Sequence, residues 1–165
     1  MTLPKPDIAY IPCNQEIVEA ILELAKINSE DIIYDLGCGD GRILIAAAKK
    51  YGTCGVGIDI APQRIKQAKQ KALENKVDKQ LEFYQQNLYN SNFADANVLL
   101  IYLLPHLYLR LRPQLWKQLK PGTRIISRDF DMGDWKPLKQ LTLTVKEEEE
   151  DEEEVTLYYW EIGSR

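Results

Sequence analysis

The chain has 165 residues, 45% of them hydrophobic, which suits one buried core and is short for two, so we expect a single domain over residues 1–165. It opens without an apolar leader, has no run near the roughly 20 apolar residues of a spanning helix, and carries three cysteines without C-x-x-C spacing. These features predict a cytoplasmic protein with no membrane partner and no metal. The net charge of -4 hides an acidic block at residues 147–154. Without it, 17 acidic residues face 21 basic ones, too weak an excess to predict nucleic-acid binding.

Short apolar runs alternate along the chain with longer segments whose apolar residues recur at helical spacing. Pro62 suits the first turn of a helix, whereas Pro113 is expected to break or kink one near Arg112. The predicted helices cover residues 12–26, 42–51, 62–75 and 106–119, and the predicted strands cover residues 32–36, 54–59, 81–85, 97–102, 123–129, 141–145 and 155–162.

Strands that alternate with helices, followed by a closing pair, predict the α/β class, as a doubly wound, Rossmann-like three-layer sandwich. The sheet would hold seven mostly parallel strands, with the last one antiparallel. The last two strands are joined by EEEEDEEE, residues 147–154, a block of like charge that is typical of a solvated loop. This loop would emerge at the carboxyl edge of the sheet, where opposite charge could steer a basic partner.

The most informative segment is DLGCGDGR, residues 35–42, which lies between the first predicted strand and the following helix. Glycines allow a sharp turn and the close approach of a ligand, and the start of a helix offers free N–H groups. The G-x-G-x-G spacing departs from the G-x-G-x-x-G of dinucleotide folds. A carboxylate at Asp35 would repel a pyrophosphate but attract an ammonium group. The loop therefore favours a cationic cofactor that carries an amino-acid moiety.

Two other strand ends carry polar side chains. Asp59 ends the second predicted strand, where a carboxylate can accept hydrogen bonds from both hydroxyls of a ribose. Asn87 follows the third strand in QQNLY and could pair with an adenine edge, with Leu88 supplying a backbone N–H and an apolar contact. An ordinary strand-end cap at Asp59 and a turn asparagine at Asn87 remain the structural alternatives.

With these motifs, the sequence resembles the seven-strand, class I S-adenosylmethionine-dependent methyltransferases over most of its length. The segments YIPCNQEIV, YDLGCGDGRI, GVGIDI, IYLLP and SRDFDMGDW together resemble one branch of that class. The branch includes the mitochondrial ATP synthase c-subunit lysine methyltransferases and, more distantly, the histone lysine methyltransferases of the disruptor-of-silencing type.

The resemblance implies S-adenosyl-L-methionine as cofactor, S-adenosyl-L-homocysteine as product, and no metal. It places the methionine portion at Asp35 and the glycines, the ribose at Asp59 and the adenine at Asn87, where family members usually have aspartate. It also implies that residues 1–28 cover the cofactor, with Pro12 and Cys13 nearby, and that residues 29–165 form the Rossmann-like core. The predicted cofactor-binding residues are Tyr10, Asp35, Gly37, Cys38, Gly39, Gly41, Asp59, Ile60, Asn87 and Leu88.

The methyl acceptor is expected at the end of the fourth strand. The sequence there lacks the N/D-P-P-Y/F box that methyltransferases of nucleic-acid amines often use. An aromatic ring and backbone carbonyls in an apolar mouth would instead suit a lysine ammonium through cation–π attraction. The predicted substrate residues are Tyr102, Leu103, Leu104 and Pro105, with Tyr102 as the candidate catalytic residue, whereas His106 is expected to be structural or exposed.

The leading hypothesis is an enzyme that methylates a protein lysine, with a lysine-bearing protein as partner and nucleic acid disfavoured. An apolar mouth would lower the pKa of the lysine amine, so no dedicated general base is required. The alternatives are a small-molecule or RNA methyltransferase and, in another class, a non-catalytic module that binds S-adenosylmethionine. The sequence does not predict an oligomeric state.

Overall fold

A computed structural model describes residues 14–102, 105–146 and 152–163. Its helices and strands follow the predicted order closely. They are α1 Gln15–Leu24, β1 Ile32–Leu36, α2 Arg42–Tyr51, β2 Cys54–Asp59, α3 Pro62–Glu74, β3 Leu81–Gln85, a 3-10 turn Leu88–Asn90, β4 Val98–Ile101, α4 Pro105–Gln118, β5 Arg124–Arg128, β6 Lys139–Lys146 and β7 Glu152–Glu161.

The strands form one seven-stranded sheet in the order β3-β2-β1-β4-β5-β7-β6. β1 to β5 pair in parallel, and β7 runs antiparallel to both β5 and β6, so β6 points the same way as the first five. The predicted fold class is therefore confirmed. The order of strands reverses between β1 and β4, and the crevice beyond the carboxyl ends at such a switch point is where open α/β sheets bind ligands.

Two apolar layers cover the two faces of the sheet. Residues of α1, α2 and α3 pack on one face, and residues of α4 and of the β5–β6 connection pack on the other. The central strand β4 is buried on both faces, because its alternate residues enter opposite layers. The burial of these alternate residues fixes the register of the central strands and hence the position of their carboxyl ends.

Helix α1 shows how local sequence sets these elements. The Asn14 side chain caps the helix by accepting a hydrogen bond from the Ile17 N–H at 2.9 Å. One face of the helix, with Ile17, Val18, Ile21 and Leu22, is buried in the first layer. The predicted helix extended two residues further at its end, and its first two residues, 12 and 13, lie outside the described part of the chain.

A break or a kink was predicted in the fourth helix near Arg112, and α4 continues through Pro113 without a break. Proline removes one helical N–H donor and normally leaves a carbonyl on the preceding turn without its partner. Here Leu109 and Pro113 both lie on the exposed side of α4, so that carbonyl faces water.

The acidic block also differs from the prediction of a loop over residues 147–154. Its last three residues belong to β7, where Glu152, Glu153 and Glu154 pair in register with the end of β6. Their backbone groups are satisfied by the ladder while their side chains remain exposed, so like charge does not prevent a strand here. Residues 147–151 lie outside the described part of the chain.

Candidate cofactor and acceptor site

The glycine loop between β1 and α2 is a backbone cradle tied to the neighbouring strand. The N–H groups of Gly37 and Cys38 both donate to the Ile58 carbonyl, at 2.7 and 3.1 Å. Gly37, Gly39 and Gly41 have φ angles of +87°, +57° and +78°, a region that residues with a side chain rarely adopt. The alternate glycines are thus required by the shape of the loop.

Gly41 is also required by space. A Cβ atom there would lie 2.9 Å from the ring of Phe83 and 3.1 Å from the methyl group of Ala68. The ring of Phe83 on β3 therefore packs directly against the end of the loop.

Asp59 lies at the carboxyl end of β2 and is 5% exposed. Its two carboxylate oxygens accept hydrogen bonds from the N–H of Gly39, at 3.0 Å, and the N–H of Ala61, at 2.9 Å. The guanidinium of Arg64 lies 4.0 Å away. Each carboxylate oxygen has the capacity to accept more than one hydrogen bond, so this group can still receive a pair of hydroxyls.

Asp35 is the buried acid of β1, with 6% of its surface exposed. Burial, followed by the nearby charges of Asp59 and Asp40, raises the pKa of Asp35 to about 7. No donor or cation among residues 14–102, 105–146 and 152–163 pairs with its carboxylate. A buried carboxylate is costly unless it is paired, so a cationic ligand such as an α-ammonium group fits this site.

Asp40, in the same loop, has the opposite electrostatic character. Arg42 and Lys71 donate hydrogen bonds to it at 2.7 and 2.5 Å. Burial alone would raise the pKa of Asp40, but these hydrogen bonds and charges hold it well below its usual value. Asp40 therefore ties the loop to α2 and α3, whereas Asp35 keeps its carboxylate for a cationic ligand. Between them, the buried Cys38 thiol has a pKa raised first by burial and then by Asp35 and Asp59.

One face of the sheet gathers the side chains at its carboxyl edge. The apolar layer of α1, α2 and α3 contains Ile33, Leu100 and Ile126. These lie two positions before Asp35, Tyr102 and Arg128, respectively. Since alternate strand residues share a face, Asp35 and Arg128 follow on that face, and Tyr102 comes directly after the end of β4 between them. The edge thus carries, from β1 through β4 to β5, an acid, an aromatic ring and a cation.

Tyr102 is half-buried between two side chains from the end of β5. The guanidinium of Arg128 lies 5.0 Å from the centre of its ring. The ring of Phe130 lies 6.3 Å away at an interplanar angle of 17°. A cation–π contact was expected here for a substrate, and the protein's own arginine already makes one. Sequence reasoning missed Arg128 and Phe130, although a charged residue that ends the apolar strand RIISR was a usable signal.

The predicted adenine-binding residues flank the end of β3. Asn87 is exposed, and its side-chain oxygen caps the 3-10 turn by accepting from the Tyr89 N–H at 2.9 Å. Leu88 is buried, and Ile60, just after β2, accepts from the Gln85 side-chain amide at 3.4 Å through its carbonyl. The remaining amide group of Asn87 can serve as a donor to a purine ring nitrogen.

Several predicted site residues lie outside the described residues, namely Tyr10, Pro12, Cys13, Leu103 and Leu104. Pro105 is the first residue of α4, and His106 beside it is exposed, as expected. Within the described ranges, no group of three or more His, Cys, Asp or Glu side chains could hold a metal ion, and no helix is both long and apolar enough to cross a membrane.

This combination of sheet order, glycine loop and strand-end acids defines an S-adenosylmethionine-dependent methyltransferase, and comparison with known proteins agrees. Residues 35–139 match the ANTKMT methyltransferase domain, and the chain belongs to that family. The predictions of enzyme class, cofactor and family are thereby confirmed.

Two sequence relatives and one solved structure illustrate the range of similar proteins. A protein-lysine N-methyltransferase of Saccharolobus islandicus is 36% identical over 96% of each chain. The human lysine N-methyltransferase of the ATP synthase c-subunit is 28% identical over 82% of this chain, which spans 57% of that protein. A crystal structure described as an RNA methyltransferase from Salinibacter ruber in complex with S-adenosyl-L-homocysteine is 42% identical, with a TM-score of 0.83 over 94% of this chain and 95% of the other.

Proposed function

We propose that this enzyme transfers the methyl group of S-adenosyl-L-methionine to a lysine side chain of a protein. The observation that carries the proposal is the 36% identity, along almost the whole of both chains, to a protein-lysine N-methyltransferase. The second relative, which is also named for a lysine acceptor, supports it over a shorter stretch. We place the protein in the cytoplasm.

The cofactor would lie across the carboxyl ends of β1 and β2. Asp35 pairs with the α-ammonium group, and the loop residues Gly37, Cys38, Gly39 and Gly41 lie along the methionine portion. Asp59 accepts from the ribose hydroxyls while Ile60, Asn87 and Leu88 contact the adenine. We assign residues 1–28, with Tyr10, to the cover of this pocket and residues 29–165 to the core of a single domain.

The acceptor mouth would lie at the end of β4, formed by Tyr102, Leu103, Leu104 and Pro105. When bound, the cofactor supplies a methyl group made reactive by its sulfonium. The protein aligns the acceptor nitrogen opposite the sulfur and excludes water, which accounts for much of the catalysis in such a displacement. A partly apolar mouth disfavours the charged ammonium and so favours the neutral amine that reacts.

An RNA acceptor is the second candidate, because the 42% identical structure is described as an RNA methyltransferase. A chemical difference between the acceptors separates the two. Lysine methylation leaves label that survives nuclease and is released as methyl-lysine after acid hydrolysis, whereas RNA methylation leaves label that nuclease removes.

The test is to incubate the enzyme and tritiated S-adenosyl-L-methionine with lysate of the host from which the gene has been deleted. We expect labelled protein bands and, by mass spectrometry, methyl-lysine that is lost in the deletion strain. Asp59→Ala should abolish the labelling. The matched control is Glu82→Ala, an exposed acid on the adjacent strand β3, which should retain it. Label confined to RNA or to small molecules would contradict a lysine acceptor.

A further inference from the structure

We infer that Arg128 is a positioning residue for methyl transfer, acting by holding the ring of Tyr102 in place at the acceptor mouth. The inference rests on the mouth proposed above. It applies to any acceptor that enters there, whether protein or RNA.

The first observation is a buried cation stacked on the candidate catalytic ring. Arg128 is 3% exposed, and its guanidinium lies 5.0 Å from the centre of the Tyr102 ring. Cation–π attraction is strongest where water is excluded, so this contact favours one orientation of the ring. Phe130 restricts the ring further, since its own ring lies nearly parallel at 6.3 Å.

The second observation is that the guanidinium is paired with two carboxylates, one directly after β5 and one on β7. It lies 3.4 Å from the carboxylate of Asp129, which follows it in the chain, and 3.4 Å from that of Glu153 on β7. A buried charge is stable only when paired, and these two carboxylates supply the pairing. These contacts therefore fix the position of the Arg128 side chain between β7 and the end of β4.

The third observation is the backbone at Asp129, which has a φ of +65° although it is not glycine. Its N–H donates to the Thr156 carbonyl at 2.7 Å, and its side chain accepts from the Thr156 N–H at 3.0 Å. Uncommon backbone conformations persist when the surroundings over-determine them, and they concentrate at functional sites. The turn fastens the end of β5 to β7 directly beside the Arg128 guanidinium.

These contacts explain how a residue beside the mouth affects the reaction. With the Arg128 guanidinium over the Tyr102 ring and Phe130 stacked on it, the acceptor would meet the part of the ring that these two side chains leave uncovered. In-line transfer is sensitive to displacements of about 1 Å, so a ring free to rotate would align the acceptor less often. Arg128 thus acts through Tyr102 and need not touch the acceptor.

Arg124 provides a matched structural arginine. It lies on the same strand and face, four residues before Arg128 at the opposite edge of the sheet. It pairs with Asp31 and donates to the carbonyls of Ala25 and Lys26. Replacing Arg124 should therefore reduce stability without a specific effect on transfer.

The experiment is a double-mutant cycle between Arg128→Met and Tyr102→Leu, with Arg128→Lys and Arg124→Met alongside. Initial rates are measured with saturating tritiated S-adenosyl-L-methionine and the deletion-strain lysate as acceptor, below the melting temperature of every variant. We expect Arg128→Met to lower the rate about thirtyfold, a loss of the size of one desolvated cation–π contact, and Arg128→Lys to restore most of it. In the Tyr102→Leu background, Arg128→Met should have no further effect. Arg124→Met should melt earlier and keep its rate within about twofold of the wild type.

The cycle separates the possible failures. If the double variant loses rate by the product of the two single-variant factors, the inference is overturned and the proposed mouth is left intact. A fall in affinity for S-adenosyl-L-homocysteine as large as the fall in rate would show that Arg128 binds the cofactor, which also overturns it. An unchanged rate in Tyr102→Leu would overturn the proposed mouth together with the inference. If Arg128→Met does not fold, Arg128→Gln, which also removes the cation, takes its place in the cycle.

Discussion

Asp35→Asn should make the protein more stable at alkaline pH while it weakens cofactor binding. The wild-type carboxylate is buried, and within the described residues nothing pairs with it. Asparagine has nearly the same shape and cannot ionise. The variant therefore removes the cost of a buried charge together with the attraction for an α-ammonium group.

The size of the effect follows from the pKa of Asp35. Its value rises from 3.8 to about 7 on folding, which at 1.36 kcal/mol per pKa unit corresponds to a cost of up to about 4 kcal/mol once the group is ionised. Because the folded-state pKa is raised, the contribution to stability is complete below about pH 4 and is lost as the pH rises through 7. The stability advantage of the variant should therefore grow between pH 4 and pH 7 and remain constant above.

Urea denaturation at pH 5, 6, 7 and 8 measures the stability difference, and calorimetry with S-adenosyl-L-homocysteine measures binding. The wild-type affinity should weaken as the pH falls below 7, whereas that of the variant should be low and nearly independent of pH between 6 and 8. A variant no more stable than the wild type at pH 8, or one that keeps the wild-type affinity, would refute the reasoning.

Asp40→Asn is the matched control in the same loop. The pKa of Asp40 is held low by Arg42 and Lys71, so its ionised form stabilises the folded state. That stability is present above the unfolded-state pKa near 3.8 and is lost at lower pH. Asp40→Asn should thus be less stable than the wild type at pH 8, the opposite sign to Asp35→Asn, and should bind S-adenosyl-L-homocysteine within a few-fold of the wild type.

Two further predictions concern the glycine loop and the end of β2 beside it. Asp59→Ala should lose most of its affinity for S-adenosyl-L-homocysteine in calorimetry, because the ribose acceptor and the hydrogen bond to the Gly39 N–H go together; comparable binding of NAD by the wild type would instead favour a dinucleotide site. Gly41→Ala should lower the free energy of unfolding by about 1–3 kcal/mol in a urea titration. The φ of +78° disfavours a residue with a side chain, and the added methyl would lie 2.9 Å from the Phe83 ring. An unchanged unfolding midpoint would contradict this.

Much of the fold could be predicted because local signals agreed with the tertiary structure. The strand IIYDL, followed by a glycine loop, occurs at residues 32–36 as predicted, and the antiparallel closing strand was also correct. The sequence could not decide whether Pro113 breaks or only kinks the helix, because the cost of a helical proline depends on whether the affected carbonyl faces water, which the sequence does not reveal. The length of β7 was underestimated, because pairing with β6 satisfies the backbone of its acidic residues while their charged side chains stay in water.

The candidate site was predictable only in part, for a related reason. Asp35 and Asp59 could be identified because they terminate neighbouring strands, so topology alone brings them together. The role of Arg128 depends on a contact across strands that are distant in sequence, with Tyr102 on β4 and Glu153 on β7. The charge at the end of RIISR could have marked Arg128 as a candidate, but no spacing rule relates it to Tyr102 and Glu153, so its contacts emerge only from the folded structure.

The hydrogen bonds between the glycine loop and β2 also bear on the free energy of cofactor binding. Since the N–H groups of Gly37, Cys38 and Gly39 are already bonded, the loop loses its conformational freedom once, when the chain folds, and not at each encounter. Binding of the methyl donor therefore does not have to offset the conformational entropy of this loop.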